Sequence, residues 1–341
     1  MNNTERNIGI DIFRIFACLS VISLHVGPYP HLPDWLGVFL KNSGRWAVPY
    51  FFIVSGYYLG KKTERDRSLQ PASRFLSLLL IASVVLLPLS LVNQGAEETV
   101  QAFLSGKMAF RGSYFHLWFL GAMWSSLFLI YLTDQHGLSR FYPGFSALAI
   151  LSWVVFGTYL SDRVSETFFI RNLAGTGFIL LGVVLSNFAI PLKVALCLVI
   201  AGAFSQLAEN FLMKQLHPQI DLLECPIYFG TIMIAIGLFG LAQQIHVPKM
   251  KTVGSLAKNH TLWIYILHPY LIAPASYLLV RARMGGALHD LAIAPLILVL
   301  TFLLSVILRK IIHLIKHIFP ESKSTRLQPP LLATSRMSRR L

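Results

Sequence analysis

IGIDIFRIFACLSVISLHV, residues 8–26, is an apolar block with the length of a membrane-spanning helix. A helix needs about 20 mostly apolar residues to cross the hydrocarbon core of a bilayer. No trustworthy small-x-small cleavage site follows this block, so we expect it to persist as the first membrane helix rather than to be removed as a leader. The block also contains Asp11, Arg14 and His25, which are costly in lipid and therefore candidates for function.

Nine further apolar blocks follow along the chain, and their residues run continuously instead of alternating with polar ones. We therefore predict an all-α, polytopic membrane protein with about ten transmembrane helices. The membrane domain is predicted to cover residues 1–319, and the polar, basic residues 320–341 are expected to form a disordered cytoplasmic tail. The ten predicted spans are approximately 8–26, 38–59, 75–92, 116–132, 141–160, 173–190, 192–208, 225–244, 260–280 and 291–315.

The composition supports a membrane protein and argues against a nucleic-acid-binding one. Hydrophobic residues make up 55% of the 341 residues and charged residues 13%, whereas soluble domains carry about 25% charged residues. The net charge of +14 arises from bases in short loops and near the C-terminus, a distribution that suits contact with anionic lipid headgroups. The three cysteines, Cys18, Cys197 and Cys225, have no metal-ligand spacing, so we expect neither a disulfide framework nor a metal site.

The distribution of basic residues predicts the orientation of the chain. Ten spans place both termini on one side of the membrane. If that side is cytoplasmic, 19 lysines and arginines lie inside and 9 lie outside, among them Lys41, Arg45 and Arg171. The excess on the inside fits the positive-inside rule. We therefore expect a bacterial inner-membrane protein with both termini in the cytoplasm.

The first span aims three ionisable side chains into the helix bundle. Asp11 and Arg14 are three positions apart and hence neighbours on one helix face. His25 lies eleven positions after Arg14, which keeps it on the same stripe at a rise of about 16 Å. An alternative reading is a boundary salt bridge with an unrelated interfacial histidine.

Two more histidines are predicted to lie at a depth similar to that of His25. His116 opens the fourth span, and His268 lies about halfway along the ninth span. The three histidines are therefore candidates to face one cavity in the outer half of the membrane, although each alone is as well explained by a structural role. Ser55 and Gly56, in the second span, favour close helix packing through small residues.

These segments together resemble the acyltransferase-3 family, which comprises membrane O-acyltransferases of bacterial surface glycans. An Arg and a His separated by ten residues, with an Asp three residues before the Arg, are similar to the family's signature in the first span. Further similarities are VPYFFIVSGY (48–57), YFHLWFL (114–120) and WIYILH (263–268), in the expected order. The chain is most similar to the stand-alone polysaccharide O-acetyltransferases of this family.

The resemblance implies transfer of an acetyl group from cytoplasmic acetyl-CoA to a sugar hydroxyl of a surface polysaccharide or its lipid-linked precursor, with no bound cofactor. It implies His25, Arg14 and Asp11 as catalytic residues, with His25 either a general base or a transient acyl carrier. The residues that it implies for substrate binding are His116, Trp118, Tyr265, His268, Ser55 and Arg74. The family often has an Arg-x-x-Arg element before the third span, and this chain retains only its second arginine, Arg74.

Two other functions are compatible with the same residues. A transporter or flippase for a lipid-linked glycan or small solute also uses buried Asp, Arg and His side chains. The absence of recognisable inverted repeats in the sequence argues against this class. A membrane scaffold for a glycan-assembly complex is the non-catalytic alternative.

Overall fold

The computed structural model describes residues 7–159, 168–216, 227–245 and 251–318. The predicted tail at 320–341 and Cys225 lie outside these residues. The helices are α1 (Ile8–Val26), α2 (Asp34–Ser43), α3 (Ala47–Gly60), α4 (Gln70–Asn93), α5 (Ala96–Leu104), α6 (Met108–Arg111), α7 (Trp118–Gln135), α8 (Tyr142–Val154), α9 (Phe168–Leu185), α10 (Leu192–Leu216), α11 (Phe229–Gln244), α12 (Lys251–Arg281) and α13 (Gly286–Ile318). No strand occurs in the described ranges, so the predicted all-α class is confirmed.

The long apolar helices correspond to the predicted spans. Within the described residues, seven helical segments are long and apolar enough to cross a membrane: α1, α4, α7, α8 with its flanking turns, α10, α12 and α13. The apolar parts of α9 and α11 are shorter. Large apolar side chains such as Val84, Val92, Phe204 and Phe211 are exposed on α4 and α10, as expected for helix faces that contact lipid.

The second predicted span, 38–59, is wrong as a single continuous helix. The structure divides it into α2, a 3-10 turn at Gly44–Trp46, and α3. The turn lies close to α1, since a Cβ on Gly44 would be only 2.7 Å from the carbonyl oxygen of Ser20. The proline at position 49 lies in the first turn of α3, where a missing backbone N–H is tolerated. The chain therefore bends against α1 at the end where His25 lies, which we call the His25 end of the bundle.

Helices α3 and α9 approach each other through glycines. A Cβ on Gly56 would be 1.9 Å from the carbonyl oxygen of Ile179, and one on Gly182 would be 2.1 Å from that of Ile53. Gly56 therefore serves close helix packing, as the sequence favoured.

Replacing Gly56 by alanine is expected to lower the thermal stability of the protein in detergent. The added methyl group overlaps backbone atoms of α9, and overpacking of this kind costs about 1–3 kcal/mol. Gly144→Ala is the matched control because a Cβ there meets no atom within 4 Å. The melting temperature of each variant is measured from the amount of folded protein that size-exclusion chromatography detects after heating. Equal melting temperatures for the two would contradict the packing described here.

Helix α10 fixes neighbouring segments at the His25 end through buried polar groups. The Glu209 carboxylate accepts hydrogen bonds from the backbone nitrogens of Phe229 and Gly230, each at 2.7 Å, and thereby caps the start of α11. The Tyr159 hydroxyl donates to the same carboxylate at 2.6 Å. Gln206 donates to the backbone carbonyl of Asn42 in α2 at 2.9 Å. These bonds hold the start of α11 and the end of α2 against one helix.

Candidate active site

Three histidine rings meet at the His25 end of the bundle. His25 lies in the last turn of α1, His116 in the 3-10 turn Phe115–Leu117 before α7, and His268 within α12. The ring centroids of His25 and His268 are 5.2 Å apart, those of His116 and His268 are 5.3 Å apart, and those of His25 and His116 are 6.4 Å apart. His116 and His268 are buried, and His25 is half-buried. The structure thus brings together the three histidines that the sequence selected.

The residue after His268 determines which nitrogen of that ring carries the proton. Pro269 has no backbone N–H, so the carbonyl of Tyr265 lacks its usual donor four residues later. Nδ1 of His268 lies 2.7 Å from that carbonyl oxygen. A carbonyl only accepts, so Nδ1 must be protonated, and Nε2 of the neutral ring holds a lone pair. Nε2 is buried without a hydrogen-bond partner among the described residues.

Tyr265 connects α12 to the turn that carries His116. Its buried hydroxyl donates a hydrogen bond to the backbone carbonyl of His116. Its ring lies 5.4 Å from the ring of His116 and 5.2 Å from that of Phe119, measured between centroids. Both ring nitrogens of His116 are buried without a hydrogen-bond partner among the described residues. The histidine cluster is therefore held rigidly by the backbone and by Tyr265, and some of its ring nitrogens remain available to a ligand.

A cavity of about 220 Å³ adjoins the cluster. Its lining includes His25, His116 and Tyr265 together with the indole rings of Trp118 and Trp153. His268 instead borders a separate void of about 10 Å³ on the side of Cys18, deeper along α1. A substrate in the larger cavity would contact His25 and His116 directly, with His268 stacked behind His25.

Three cationic residues that sequence reasoning did not select also line the larger cavity. They are Lys41 of α2, Arg45 of the following 3-10 turn, and Arg171 of α9. In the sequence they counted only as bases of the outer loops. Lys41 and Arg45 also interrupt the second predicted span, and this position inside an apolar block, where ionisable residues usually have a function, is the signal that could have found them. Arg171 gave no comparable signal.

Asp11 and Arg14 form the predicted pair near the start of α1. Nη1 of Arg14 lies 3.3 Å from Oδ1 of Asp11, whose side chain is 1% exposed. The guanidinium also lies 5.7 Å from the centroid of the Tyr58 ring, and its Nε is buried without a hydrogen-bond partner among the described residues. Arg14 does not line the cavity beside His25. The candidate site thus has two ends, separated along α1.

Ser55 and Arg74 do not join the residues around the cavity. The Ser55 hydroxyl donates to the carbonyl of Phe51 in its own helix at 2.8 Å. Arg74 is exposed near the start of α4. Neither side chain lines the cavity, so the predicted substrate-binding role of each, which for Arg74 concerned the acyl donor, stays a prediction. Trp118, His116 and Tyr265, which the sequence also selected for substrate binding, do line it.

The described residues contain no group of three or more His, Cys, Asp or Glu side chains arranged to hold a metal ion. Of the ring nitrogens in the histidine cluster, Nδ1 of His268 is bound to a carbonyl. The chemistry available to this cluster is acid–base or nucleophilic chemistry by imidazole.

Known relatives of the chain carry racemase names. It is 26% identical over 301 residues to the serine/alanine racemase of Enterococcus gallinarum, a match that covers 80% of this chain and 42% of that protein. It is 32% identical over 127 residues to an amino-acid racemase of Enterococcus faecalis, covering 35% of this chain and 18% of the relative. The chain thus spans less than half of the length of these relatives. No solved structure matches it.

The profile of the acyltransferase domain family matches residues 7–310, which include both ends of the candidate site. That match covers α1 with Asp11, Arg14 and His25, the turn with His116, and α12 with Tyr265 and His268. Together with the apolar helices, it shows that the chain belongs to the acyltransferase-3 family of membrane acyltransferases.

Proposed function

We propose that this acyltransferase transfers an acetyl group from acetyl-CoA to a sugar hydroxyl of a surface polysaccharide or its lipid-linked precursor. The observation that supports the proposal most strongly is the position of His25. It lies beside a cavity large enough for a small substrate and stacks on His268. We place the protein in a bacterial inner membrane because it belongs to this acyltransferase family. Both termini are proposed to lie in the cytoplasm because of the distribution of basic residues.

In this proposal, His25 acts as the general base. A neutral imidazole accepts the proton of the sugar hydroxyl while the hydroxyl oxygen attacks the thioester carbonyl of acetyl-CoA. The C–S bond of the tetrahedral intermediate then breaks, and the thiolate of CoA takes the proton from the imidazolium. The products are an O-acetyl ester and free CoA. His268 supports the base by stacking on it, and the aromatic wall of Trp118 and Trp153 limits access of water to the cavity.

Arg14 is proposed to act at the other end of the site, toward the donor. A guanidinium pairs with phosphate oxygens or polarises a carbonyl, and Asp11 orients this one. Donor and acceptor then approach from opposite ends of α1. The narrow void near Cys18 and His268 lies between the two ends, where the acyl arm of the donor would have to pass.

Transfer of radiolabelled acetyl from acetyl-CoA to glycan, in membranes that contain the protein, tests this function. We expect an alkali-labile ester on the glycan, because the acceptor atom is a hydroxyl oxygen. A transporter or flippase would relocate its solute without attaching label to it. Unlabelled glycan in membranes with abundant folded protein would contradict the proposed acetyl transfer.

The proposed orientation makes a separate prediction. Alkaline phosphatase fused after Lys62 should be inactive, because the basic loop that follows α3 faces the cytoplasm. The same enzyme fused after Gly106, between α5 and α6, should be active in the periplasm. Western blots of both fusions control for expression. The reverse pattern of activity would overturn the orientation and, with it, the side from which the donor enters.

A further inference from the structure

A serine, a histidine and an aspartate form a chain of hydrogen bonds between the end of α12 and the start of α13. The Ser276 hydroxyl lies 3.1 Å from Nε2 of His289, and Nδ1 of the same ring lies 3.3 Å from Oδ1 of Asp290. Ser276 belongs to α12, whereas His289 and Asp290 belong to α13. We call these three residues the Ser276 cluster.

The Asp290 carboxylate determines which way the hydrogen bonds of the Ser276 cluster run. A carboxylate only accepts hydrogen bonds, so Nδ1 of His289 carries the proton of the neutral ring and Nε2 holds a lone pair. The Ser276 hydroxyl must therefore donate to Nε2. A hydroxyl that donates to an imidazole, which a carboxylate orients in turn, is the arrangement that activates serine as a nucleophile.

The loop that follows α1 holds Asp290 in place. The backbone nitrogen of His31 donates to Oδ2 of Asp290 at 2.8 Å, and Nδ1 of His31 lies 3.3 Å from Oδ1. The Asp290 side chain is 4% exposed, whereas that of His31 is 52% exposed. The carboxylate is thus buried and bound on both oxygens, so it keeps the ring of His289 in a fixed orientation.

The hydroxyl of Ser276 is not bonded within its own helix. Serines in apolar helices commonly donate to the carbonyl four residues earlier, as Ser125 does to Gly121 and Ser152 does to Leu148. Ser276 instead has its hydrogen bond with a side chain of the next helix. Its hydroxyl is therefore directed at the imidazole rather than occupied by the backbone.

The Ser276 cluster is separate from the three histidines of the candidate active site. Ser276 lies about 12 Å beyond His268 along α12, and no residue of the Ser276 cluster lines the larger cavity. Ser276 and His289 are half-buried. The adjacent Tyr277 and Leu288 are 66% and 56% exposed. A substrate can therefore approach the serine across a partly apolar surface, close to the end of α12.

We propose that Ser276 is the nucleophile of a second catalytic site, which hydrolyses an acyl ester of an amphiphilic molecule at the membrane surface. The Ser276 oxygen attacks the ester carbonyl while Nε2 of His289 accepts the hydroxyl proton. The C–O bond to the alcohol then breaks, and His289 returns the proton to the departing alcohol oxygen. Water attacks the acyl-serine with His289 again as the base, which releases the carboxylic acid and restores the serine. Asp290 stabilises the imidazolium in both halves of the reaction.

Labelling with a fluorophosphonate probe tests for the nucleophile in the purified full-length protein in detergent. The probe forms an O–P bond to an activated serine and releases fluoride. We expect mass spectrometry of the peptides to locate the phosphonate on Ser276 in the folded protein and to find none there after heat denaturation. Ser276→Ala should lose the label. Ser152→Ala is the matched control and should keep it, because the Ser152 hydroxyl is bonded within α8.

Hydrolysis of 4-nitrophenyl acetate measures the complete reaction. The rate should fall by about a hundredfold to ten-thousandfold in His289→Gln, the range attributed to a general base, and at least as far in Ser276→Ala. Glutamine can still accept the hydrogen bond of Ser276, so it preserves a structural role of His289 while removing the base. His136→Gln, which changes an exposed histidine, should leave the rate unchanged. All rates are normalised to the folded fraction.

Either experiment can overturn the inference. Absence of the phosphonate from Ser276 in the folded wild-type protein would do so, and this result does not depend on whether Ser276→Ala folds. A wild-type rate of ester hydrolysis in folded His289→Gln would overturn it as well. Neither probe contains CoA or a sugar, so these results leave the proposed acetyl transfer untouched, and a failure of acetyl transfer leaves the inference standing.

Discussion

Replacing His25 by glutamine is expected to lower the rate of acetyl transfer by about a hundredfold to ten-thousandfold, the range attributed to a general base. Glutamine preserves much of the size and hydrogen-bonding capacity of histidine but cannot accept the hydroxyl proton. The stacking of His25 on His268 and its position at the cavity make it the ring best placed to take that proton. The measurement is kcat with the purified protein, normalised to the folded fraction.

A control variant and the result expected for a purely structural histidine complete this test. His136→Gln changes an exposed histidine at the end of α7 and should leave the rate unchanged. If His25 served only packing or hydrogen bonding, glutamine would largely rescue the activity, or the variant would lose folded protein. Near-normal turnover in the folded glutamine variant would remove His25 from the mechanism and shift the base role to His116 or His268.

Replacing Arg14 by lysine is expected to remove most of the activity, by roughly a hundredfold, while the protein still inserts into the membrane. The planar guanidinium of Arg14 pairs with Asp11 and faces the Tyr58 ring. The ammonium group of a lysine is a compact charge that cannot place two N–H donors in one plane. Steady-state kinetics with varied acetyl-CoA should show a loss in kcat/KM for the donor.

The matched control for this substitution is Arg140→Lys. Arg140 also faces an aromatic ring, with its guanidinium carbon 4.7 Å from the centroid of Phe141, but it is exposed and lies outside the candidate site. It should tolerate lysine without loss of kcat/KM. Full activity in Arg14→Lys would reduce Arg14 to a counter-charge for Asp11 and leave the donor without an assigned partner.

Most of the architecture could be predicted from the sequence because a bilayer imposes long apolar blocks on every spanning helix. The bounds of α1 agree with the predicted first span, 8–26. The predicted span 173–190 is displaced from α9, which runs from Phe168 to Leu185. The larger difference is in the second span, where hydropathy alone does not show that the chain tightens into a 3-10 turn at Gly44–Trp46. That turn depends on the approach of Gly44 to the backbone of α1, a tertiary contact that no local pattern encodes.

The site was partly predictable for a similar reason. Depth in the membrane follows from position in a span, so the meeting of His25, His116 and His268 could be anticipated. Even the tautomer of His268 is encoded locally, by the proline that follows it. That Lys41, Arg45 and Arg171 line one cavity could not be anticipated. These side chains meet only because α9 packs beside the bend between α2 and α3. Arg45 and Arg171 are more than a hundred residues apart in the sequence, so no local pattern relates them.

Ser55 illustrates how a motif can mislead about individual roles. Its segment resembles the family pattern, but the close contact in that segment is made by Gly56, which packs against the backbone of α9. The serine hydroxyl is satisfied within its own helix. Small polar residues in membrane helices commonly bond to a carbonyl one turn earlier, so a hydroxyl in an apolar block is weak support for a substrate contact.

The O-acetyl content of surface glycans tests the role of His25 in living cells. It is measured in cells that lack the gene and in the same cells complemented with the wild-type protein or with His25→Gln. Mass spectrometry of the glycans quantifies the ester, and immunoblots confirm equal amounts of both proteins in the membrane. If the protein is an O-acetyltransferase with His25 as its base, the ester disappears in the deletion strain, returns with the wild-type protein and stays absent with His25→Gln. Unchanged O-acetylation in the deletion strain, or full restoration by the glutamine variant, would contradict this assignment.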